Sequence, residues 1–271
     1  MSVAAGSQEV DPDNPIPAAR LAGRPLLLML DVDGTLAPIA QRPSLARVPD
    51  GTRRVIASLA TQPGVSVALV SGRAARDAQD VVGVANVWTI GNHGGEVMDP
   101  SGHTTVDPAV ARYADSMKRV VGALEPALAS LDGAVLENKQ WTVTVHYRLV
   151  AEAIVPRLRA IVGDVAVRNN LLVREGKKAL EIRPPVDVDK GTAIRQLAEQ
   201  LGGFNADASL LFAGDDATDE DAFRRLRAEL PHAVTIHVGD HANTAAEFSL
   251  PAPEQLHALL EHIAHDINSD R

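Results

Sequence analysis

The segment that decides the fold is Leu26-Leu27-Leu28-Met29-Leu30-Asp31-Val32-Asp33-Gly34-Thr35-Leu36. Its apolar start is typical of a buried parallel strand, because such strands are covered by helices on both faces. Two carboxylates follow directly, at the strand end where open α/β sheets place their chemistry. Residues i and i+2 of an extended segment point to one side, so Asp31 and Asp33 are expected to address one small site. The pair suits a nucleophile and an acid acting on a phosphate, with a hard cation between them.

Size, charge and composition narrow the class of protein. A chain of 271 residues with 45% hydrophobic residues predicts one core domain with an inserted module. The net charge of −9 argues against nucleic acid or an anionic membrane surface as the main partner. No apolar run reaches the ~18 residues of a membrane span. The absence of cysteine excludes disulfides and thiolate metal sites and fits a cytoplasmic location. The polar, proline-rich residues 1–24 lack the features of a signal peptide and are expected to form a mobile tail.

Five short apolar runs predict a doubly wound parallel sheet. Helical patterns lie between these runs, at residues 52–61, 192–201 and 219–230. The predicted strands are residues 26–30, 65–70, 87–90, 210–213 and 234–238.

Residues 107–184 follow a different pattern, which predicts an inserted α/β domain of roughly 75 residues. Alternating polarity over residues 141–148 is typical of an antiparallel strand with one covered face. The core domain is therefore predicted to comprise residues 25–106 and 185–271. The insertion is predicted to contain helices over residues 109–131 and 151–162, and further strands over residues 165–168, 171–174 and 178–183.

Polar residues with complementary chemistry fall at or near the ends of the core strands. A hydroxyl group, backbone N–H groups and a helix N-terminus are suited to phosphate oxygens, and a dense carboxylate cluster is suited to Mg²⁺. The four groups are Asp31 with Asp33, Ser71-Gly72-Arg73, Asp189-Lys190-Gly191-Thr192 and Gly214-Asp215-Asp216-Ala217-Thr218-Asp219-Glu220-Asp221.

Each group also has a purely structural interpretation. Asp-Gly-Thr alone is a common turn, Ser71 is suited to capping a helix, and an isolated lysine such as Lys190 is usually solvated. The acidic cluster is also favourable as the first turn of a helix. The occurrence of all four groups at successive strand ends favours a catalytic site. Within the cluster, Asp215 is the predicted ligand, and its acidic neighbours are expected to cap or support the site.

The order Asp-x-Asp-Gly-Thr, Ser-Gly-Arg, Lys-Gly and Gly-Asp-Asp-x-x-Asp resembles the haloacid dehalogenase superfamily of phosphatases. The resemblance implies a Rossmann-like core, and the insertion resembles the C2 type of cap domain found in that superfamily. Further segments resemble the trehalose-6-phosphate phosphatase family, namely Gly91-Asn92-His93-Gly94-Gly95-Glu96, Glu137-Asn138-Lys139, His146-Tyr147-Arg148 and Lys178-Ala179-Leu180-Glu181-Ile182-Arg183-Pro184.

This resemblance implies a Mg²⁺-dependent hydrolysis of trehalose 6-phosphate, the last step of trehalose biosynthesis. Asp31 would form an aspartyl-phosphate, while Asp33 first protonates the leaving sugar oxygen and then activates water. The implied ligands of Mg²⁺ are the Asp31 carboxylate, the Asp33 main-chain carbonyl and Asp215, with Asp219 in support. The implied phosphate-binding residues are Ser71, Gly72, Arg73 and Lys190, of which Ser71 and Lys190 also count as catalytic.

The resemblance also implies a set of sugar contacts, and a polar sheet face in water is the alternative for those on strands. Phosphatases for sucrose 6-phosphate, mannosyl-3-phosphoglycerate or glucosylglycerol phosphate share the core motifs and remain the alternative activity. The implied substrate-binding residues are His93, Glu137, Lys139, His146, Arg148 and Glu181.

Two other classes of protein share part of this pattern. A phosphorylation-switched signalling receiver also uses a doubly wound sheet, Mg²⁺ and an accepting aspartate, but it has no use for an acid at Asp33 or for a cap domain. A catalytically dead regulatory subunit would not be expected to keep all four motifs. The expected protein is a monomer with a small-molecule substrate, and a weak association with a synthase is conceivable.

Overall fold

The computed structural model describes residues 7–10, 16–40, 45–176, 178–240 and 243–269. The chain divides into two compact units. The core unit comprises Met1–Thr105 and Asp189–Arg271, and the inserted unit comprises Val106–Val188. None of the helices in the described ranges has the length and apolar character that crossing a membrane requires.

Thirteen strands and eight α-helices lie within these ranges. The strands are β1 (Gln8–Glu9), β2 (Leu26–Asp31), β3 (Val65–Val70), β4 (Trp88–Gly91), β5 (Glu96–Met98), β6 (Thr104–Val106), β7 (Val135–Asn138), β8 (Val143–His146), β9 (Leu172–Gly176), β10 (Ala179–Arg183), β11 (Ser209–Gly214), β12 (Val234–Val238) and β13 (Phe248–Leu250). The helices are α1 (Asp50–Leu59), α2 (Ala75–Val82), α3 (Pro108–Ala111), α4 (Ala114–Leu128), α5 (Val155–Arg168), α6 (Lys190–Gln200), α7 (Ala217–Glu229) and α8 (Pro253–Ser269).

The larger sheet has the strand order β1-β13-β12-β11-β2-β3-β4-β5-β6. Its strands are parallel from β1 through β4 in this order, and β5 is antiparallel to β4. The chain winds outward from β2 in one direction and from β11 in the other, so the strand order reverses between these two neighbours. Ligands of such sheets bind outside the carboxyl ends of the strands at this reversal. The predicted doubly wound α/β fold is confirmed.

Strand β2 is fully buried because both faces of the sheet are covered. Leu26, Leu28 and Leu30 belong to the apolar cluster that includes residues of α1 and α8. Leu27 and Met29 belong to the cluster on the other face, which includes residues of α6 and α7. Each such side chain contributes about 1.5–3 kcal/mol through its burial, so a polar residue is tolerated only where the strand ends, at Asp31.

The inserted unit contains an antiparallel sheet with the order β7-β8-β10-β9. Alternate residues such as Val143 and Ile182 pack with apolar residues of α4 and α5. The other face carries a row of polar residues, because strand pairing places Glu137 beside Thr144, Thr144 beside Glu181, and Glu181 beside Arg174.

Two predictions about the insertion are wrong in detail. The helix predicted over residues 109–131 is divided into α3 and α4. The strand predicted over residues 165–168 is the last turn of α5. Leu158, Val162 and Ala166 are buried at a four-residue spacing, so the helical apolar stripe continues to the end of this segment. Its alternating valines therefore do not mark a strand.

Part of the predicted tail is attached to the core unit. Strand β1 pairs with β13, and Ile16 is buried in the core cluster. The Arg20 guanidinium donates to both carboxylate oxygens of Glu247, at 2.9 and 2.8 Å. The prediction of a mobile tail over residues 1–24 therefore does not hold for residues 7–10 and 16–24. Residues 1–6 and 11–15 lie outside the described residues.

Candidate active site

The first carboxylate of the candidate site is Asp31, which ends β2 and is 4% exposed. The chain turns at Gly34, whose φ of +99° lies in the left-handed region that favours glycine. A Cβ atom at Gly34 would lie 2.2 Å from Oδ2 of Asp215. Because Asp215 follows the end of the neighbouring strand β11, this close approach brings the loops after β2 and β11 together.

Lys190 is the first residue of α6 and is 2% exposed. Its Nζ donates to Oδ1 of Asp31 and to Oδ1 of Asp219, both at 2.8 Å. The start of the helix is fixed by a capping box, in which Asp189 accepts from the Thr192 N–H and donates its own N–H to the Thr192 hydroxyl. The solvated surface lysine considered from the sequence is therefore excluded.

Asp219 is fully buried in the first turn of α7. Its Oδ2 accepts from the backbone N–H groups of Asp215 and Asp216, at 3.0 and 3.1 Å. Asp216 is the N-cap residue of α7 and accepts from the N–H groups of Thr218 and Asp219. Asp219 therefore holds the loop that carries Asp215 in addition to its bond with Lys190.

Burial and neighbouring charges shift the pKa values of the ionisable groups in this cluster. Burial raises the pKa of Asp31 well above its usual range, and the carboxylates of Asp219 and Asp215 add to this effect against the charge of Lys190. Burial lowers the pKa of Lys190, but the charges of Asp219 and Asp31 outweigh it and raise the value overall. The pKa of Asp219 is also raised, mainly by burial. One lysine faces several carboxylates, so a bound cation would be favourable.

The carboxylates around Asp31 are suited to binding a metal ion. Carboxylate oxygens of Asp31, Asp215 and Asp219 lie within 4.8 Å of one another. Oδ2 of Asp31 is buried and has no hydrogen-bond partner among the described residues. A buried acceptor without a partner costs about 1–3 kcal/mol or more, so this oxygen is suited to a cation ligand. Oxygen-only donors of this kind favour Mg²⁺ over softer metals. Asp219 already accepts three hydrogen bonds and is placed for support.

The predicted phosphate loop follows β3, beside β2. Ser71 is buried, and its hydroxyl oxygen accepts from the Arg73 N–H at 3.1 Å. The N-cap residue of the following helix α2 is Ala74, which has no side-chain cap. The interpretation of Ser71 as an ordinary helix cap is therefore wrong.

The Arg73 side chain has a partner that sequence reasoning did not anticipate. Its Nε donates to Oδ2 of Asp33 and its Nη2 donates to Oδ1, both at 2.6 Å. This two-point pairing fixes the plane of the Asp33 carboxylate. No local pattern signals it, because the two residues are separated by 40 positions and lie on different loops.

His93 and Glu96 follow β4 in the core unit. Asn92 and His93 have φ values of +49° and +53°, and a Cβ atom at Gly72 would lie 2.4 Å from the His93 ring. His93 is therefore close to the phosphate loop. The buried carboxylate oxygen Oε1 of Glu96 accepts from the Ala75 N–H at 2.7 Å and from Nδ2 of Asn92 at 2.8 Å. The sequence assigned no role to Glu96, although a carboxylate in a short, otherwise apolar strand was an available signal.

Five of the predicted sugar contacts lie in the inserted unit, and four of them form two pairs. Nζ of Lys139 lies 3.7 Å from Oε1 of Glu181. Nε2 of His146 lies 2.7 Å from Oε2 of Glu137. Arg148 is exposed and lies beyond β8, which ends at His146, so the strand face predicted to include Arg148 ends earlier than expected.

The chain is similar in sequence and fold to known proteins. A model of the trehalose-phosphatase family matches residues 29–254. An uncharacterized glycosyl hydrolase of Mycobacterium tuberculosis is 36% identical, over 91% of this chain and 19% of that protein. A trehalose-phosphate phosphatase of Mycobacterium avium is 34% identical, over 91% of this chain and 64% of that protein. This chain therefore spans less than two thirds of the length of either relative.

Among solved structures, a trehalose-6-phosphate phosphatase related protein superposes with a TM-score of 0.79 and 26% identity. The superposition covers 90% of this chain and 100% of that one. The fold is thus shared over 90% of this chain.

Proposed function

Because this chain belongs to the trehalose-phosphatase family, we propose that it hydrolyses trehalose 6-phosphate to trehalose and inorganic phosphate. The observation that carries the proposal is the buried Asp31 carboxylate, bonded to Lys190 at 2.8 Å, with a second carboxylate at Asp33. This arrangement supplies a nucleophile, a fixed positive charge and an acid at the switch point of the sheet.

In the first step a carboxylate oxygen of Asp31 attacks phosphorus, and the bond from phosphorus to the sugar oxygen breaks. Asp33 donates a proton to that oxygen, so the leaving group departs as an alcohol. A water molecule then attacks the aspartyl-phosphate and gives its proton to Asp33, which regenerates both carboxyl groups. The retained acid and base at Asp33 is what distinguishes this chemistry from that of a signalling receiver.

Charge explains the surroundings of the nucleophile. A carboxylate about 3.5 Å from a phosphate charge is repelled by about 5 kcal/mol at an effective dielectric constant near 20. Lys190 offsets part of this repulsion and stabilises the charge of the transition state. Ser71 and the backbone N–H of Gly72 bind further phosphate oxygens in this proposal.

The Asp31 carboxylate, the Asp33 main-chain carbonyl and Asp215 would hold Mg²⁺, with Asp219 in support. When bound, the ion would neutralise phosphate charge as a Lewis acid. Phosphatases of the haloacid dehalogenase superfamily generally use Mg²⁺, and the acidic cluster described above is compatible with it.

The sugar contacts are proposed for His93 and for the polar face of the inserted sheet. Trehalose presents hydroxyl groups that each donate and accept, so a paired cation and anion such as Lys139 and Glu181 can bind both functions of a hydroxyl. His146 with Glu137 offers a second pair, and Arg148 a further donor. Another glycosyl phosphate is the alternative substrate, and these residues would decide between them.

The test is phosphate release from trehalose 6-phosphate, sucrose 6-phosphate, mannosyl-3-phosphoglycerate, glucosylglycerol phosphate and glucose 6-phosphate. Each assay is run with Mg²⁺ and with EDTA, and Asp31→Asn is the inactive control. A metal-dependent preference for trehalose 6-phosphate supports the proposal. Preference for another sugar phosphate would mean that the inserted unit binds a different sugar, while the proposed mechanism stands. A stable phosphoprotein without turnover supports the receiver, and no reaction with any compound supports a regulatory subunit.

We propose a cytoplasmic monomer whose association with a synthase is weak at most. Gel filtration at several concentrations, with and without a trehalose-phosphate synthase, tests both statements, and co-elution at low concentration contradicts the second.

A further inference from the structure

The pairing of Arg73 with Asp33 has a consequence for the leaving-group step. Both oxygens of Asp33 accept from one guanidinium at 2.6 Å. The Arg73 side chain is nearly buried, with 11% exposure, whereas the Asp33 side chain is 38% exposed. The arginine is therefore the anchored partner, and the carboxylate faces the solvent-accessible side, from which a substrate must arrive.

The backbone of Arg73 is itself held at two atoms. Its N–H donates to the Ser71 hydroxyl at 3.1 Å, and its carbonyl oxygen accepts from the Asn92 N–H at 2.6 Å. Glu96 holds two residues near Arg73. Its Oε1 accepts from the Asn92 side chain and from the N–H of Ala75, which lies two residues beyond Arg73. A single buried carboxylate thus ties the loop after β3 to the loop after β4.

We propose that Arg73 is a positioning residue that orients Asp33 for protonation of the leaving oxygen, and that Glu96 holds Arg73 in place. The inference rests on the acid role of Asp33 in the proposed function. It gives Arg73 a different task from the phosphate contact predicted by the sequence, and it assigns a task to Glu96.

Fork geometry is the physical reason. A guanidinium presents two parallel N–H groups in one plane and so fixes the rotation of a carboxylate, whereas a lysine ammonium is a point charge that leaves it free. Proton donation requires that orientation, because the oxygen that carries the proton must face the breaking bond. Each oxygen of Asp33 has a second lone pair besides the one that accepts from Arg73, so the proton can be carried there while the pairing persists.

The choice of substrate separates the two roles of Arg73. A sugar alkoxide is a poor leaving group and needs a proton, whereas p-nitrophenolate departs as a stable anion. The ratio kcat/KM reports the steps up to release of the leaving group, and it excludes hydrolysis of the aspartyl-phosphate. A defect in the acid therefore lowers kcat/KM for trehalose 6-phosphate only, while a lost phosphate contact lowers it for both compounds.

The experiment measures kcat/KM for trehalose 6-phosphate and p-nitrophenyl phosphate in Arg73→Met, Arg73→Lys and Asp33→Asn. We expect Arg73→Met to lose about 100-fold on the sugar phosphate, the lower range for general-acid catalysis, and less than about 5-fold on the nitrophenyl ester. Arg73→Lys should recover only a small part of the activity on trehalose 6-phosphate that Arg73→Met loses. Asp33→Asn should also lose activity on the sugar phosphate and not on the nitrophenyl ester. Arg76→Met, an exposed arginine of α2, is the matched control and should match the unmodified protein. Equal losses on both compounds, or none on either, overturn the proposal.

Glu96 is tested in the same assays. Glu96→Gln keeps an oxygen acceptor and should lose little, whereas Glu96→Ala removes it and should show a selective loss on the sugar phosphate of about 10-fold. Circular dichroism and thermal melting identify a variant that does not fold, in which case Glu96→Met replaces Glu96→Ala. Equal loss on both compounds contradicts the role of Glu96.

Failure of this inference can be distinguished from failure of the proposed function. If the unmodified protein does not hydrolyse trehalose 6-phosphate or another sugar phosphate, the proposed function fails. If it does so and Arg73→Met is unselective, only the positioning role fails.

Discussion

The buried cluster of the core unit and the charge pairs of the inserted unit use the same residue types in opposite ways. Lys190 is 2% exposed and donates to two carboxylates at 2.8 Å. Lys139 and Glu181 have side-chain exposures of 10% and 15%, and their charged atoms are 3.7 Å apart. Lys190 joins the core cluster by direct hydrogen bonds, whereas the Lys139–Glu181 distance is too long for a normal one. The second pair of the inserted unit, His146 with Glu137, is at hydrogen-bond distance but more exposed.

This difference indicates two kinds of task. A group that must hold a nucleophile has to be fixed before the substrate arrives, since electrostatic preorganisation avoids reorganisation during the reaction. A side chain that binds a sugar binds more favourably if the sugar hydroxyl groups can replace its partner in the free protein. Variants at both sets of residues test this division.

The largest effect is expected for Asp31→Asn, which removes the nucleophile. We expect a loss of kcat of at least about 10⁴-fold, because removal of a covalent nucleophile abolishes the pathway that depends on it. Phosphate release under single-turnover conditions measures it. The fold should persist, because Lys190 keeps its bond to the Asp219 carboxylate. Asp80→Asn, on the exposed face of α2, is the control, and retained activity in Asp31→Asn would refute the assignment of the nucleophile.

The next effect is expected for Lys190→Met. Loss of one preorganised donor should lower kcat by about 10²- to 10³-fold, and removing one partner of a buried ion pair should cost about 3–5 kcal/mol of stability. This loss should shrink as the pH falls, because protonation of Asp31, whose pKa is raised, removes like-charge repulsion.

Urea denaturation without metal at acidic and alkaline pH measures the stability of Lys190→Met. Lys118→Met, at an exposed position of α4, is the matched control. A stability loss that is independent of pH would contradict the electrostatic explanation.

An intermediate effect is expected for Glu181→Gln and Lys139→Met. Each should raise KM for trehalose 6-phosphate by about 10- to 100-fold, the equivalent of a lost charged hydrogen bond of about 1.5–3 kcal/mol. The kinetics of p-nitrophenyl phosphate, which carries no sugar, should not change. A parallel loss on both substrates would show that the pair stabilises the fold instead of binding the sugar.

The smallest effect is expected for His146→Gln and Glu137→Gln. Their side chains are 28% and 25% exposed, so solvent screens the pair, and KM should rise by only about 2- to 5-fold. A double-mutant cycle on KM measures the coupling between them. A change as large as that of Glu181→Gln would remove the distinction between the two pairs.

Local pattern predicted the centre of the core sheet well, because a strand buried on both faces is an uninterrupted apolar run. Strands β1, β6 and β13 are two or three residues long, and their composition is mixed, so no pattern marked them. The end of α5 was predicted as a strand because the alternating Val165 and Val167 outweighed the four-residue spacing of Leu158, Val162 and Ala166.

The sequence alone determined which chemical groups stand at the ends of the core strands, since strand length and apolar runs are local properties. The tertiary structure decided which of these groups meet. Lys190 is separated by 159 positions from Asp31, and Arg73 by 40 from Asp33. The Arg73–Asp33 pairing depends on β3 lying beside β2, and the Lys190–Asp31 pairing depends on where α6 begins. Neither arrangement leaves a periodicity along the chain.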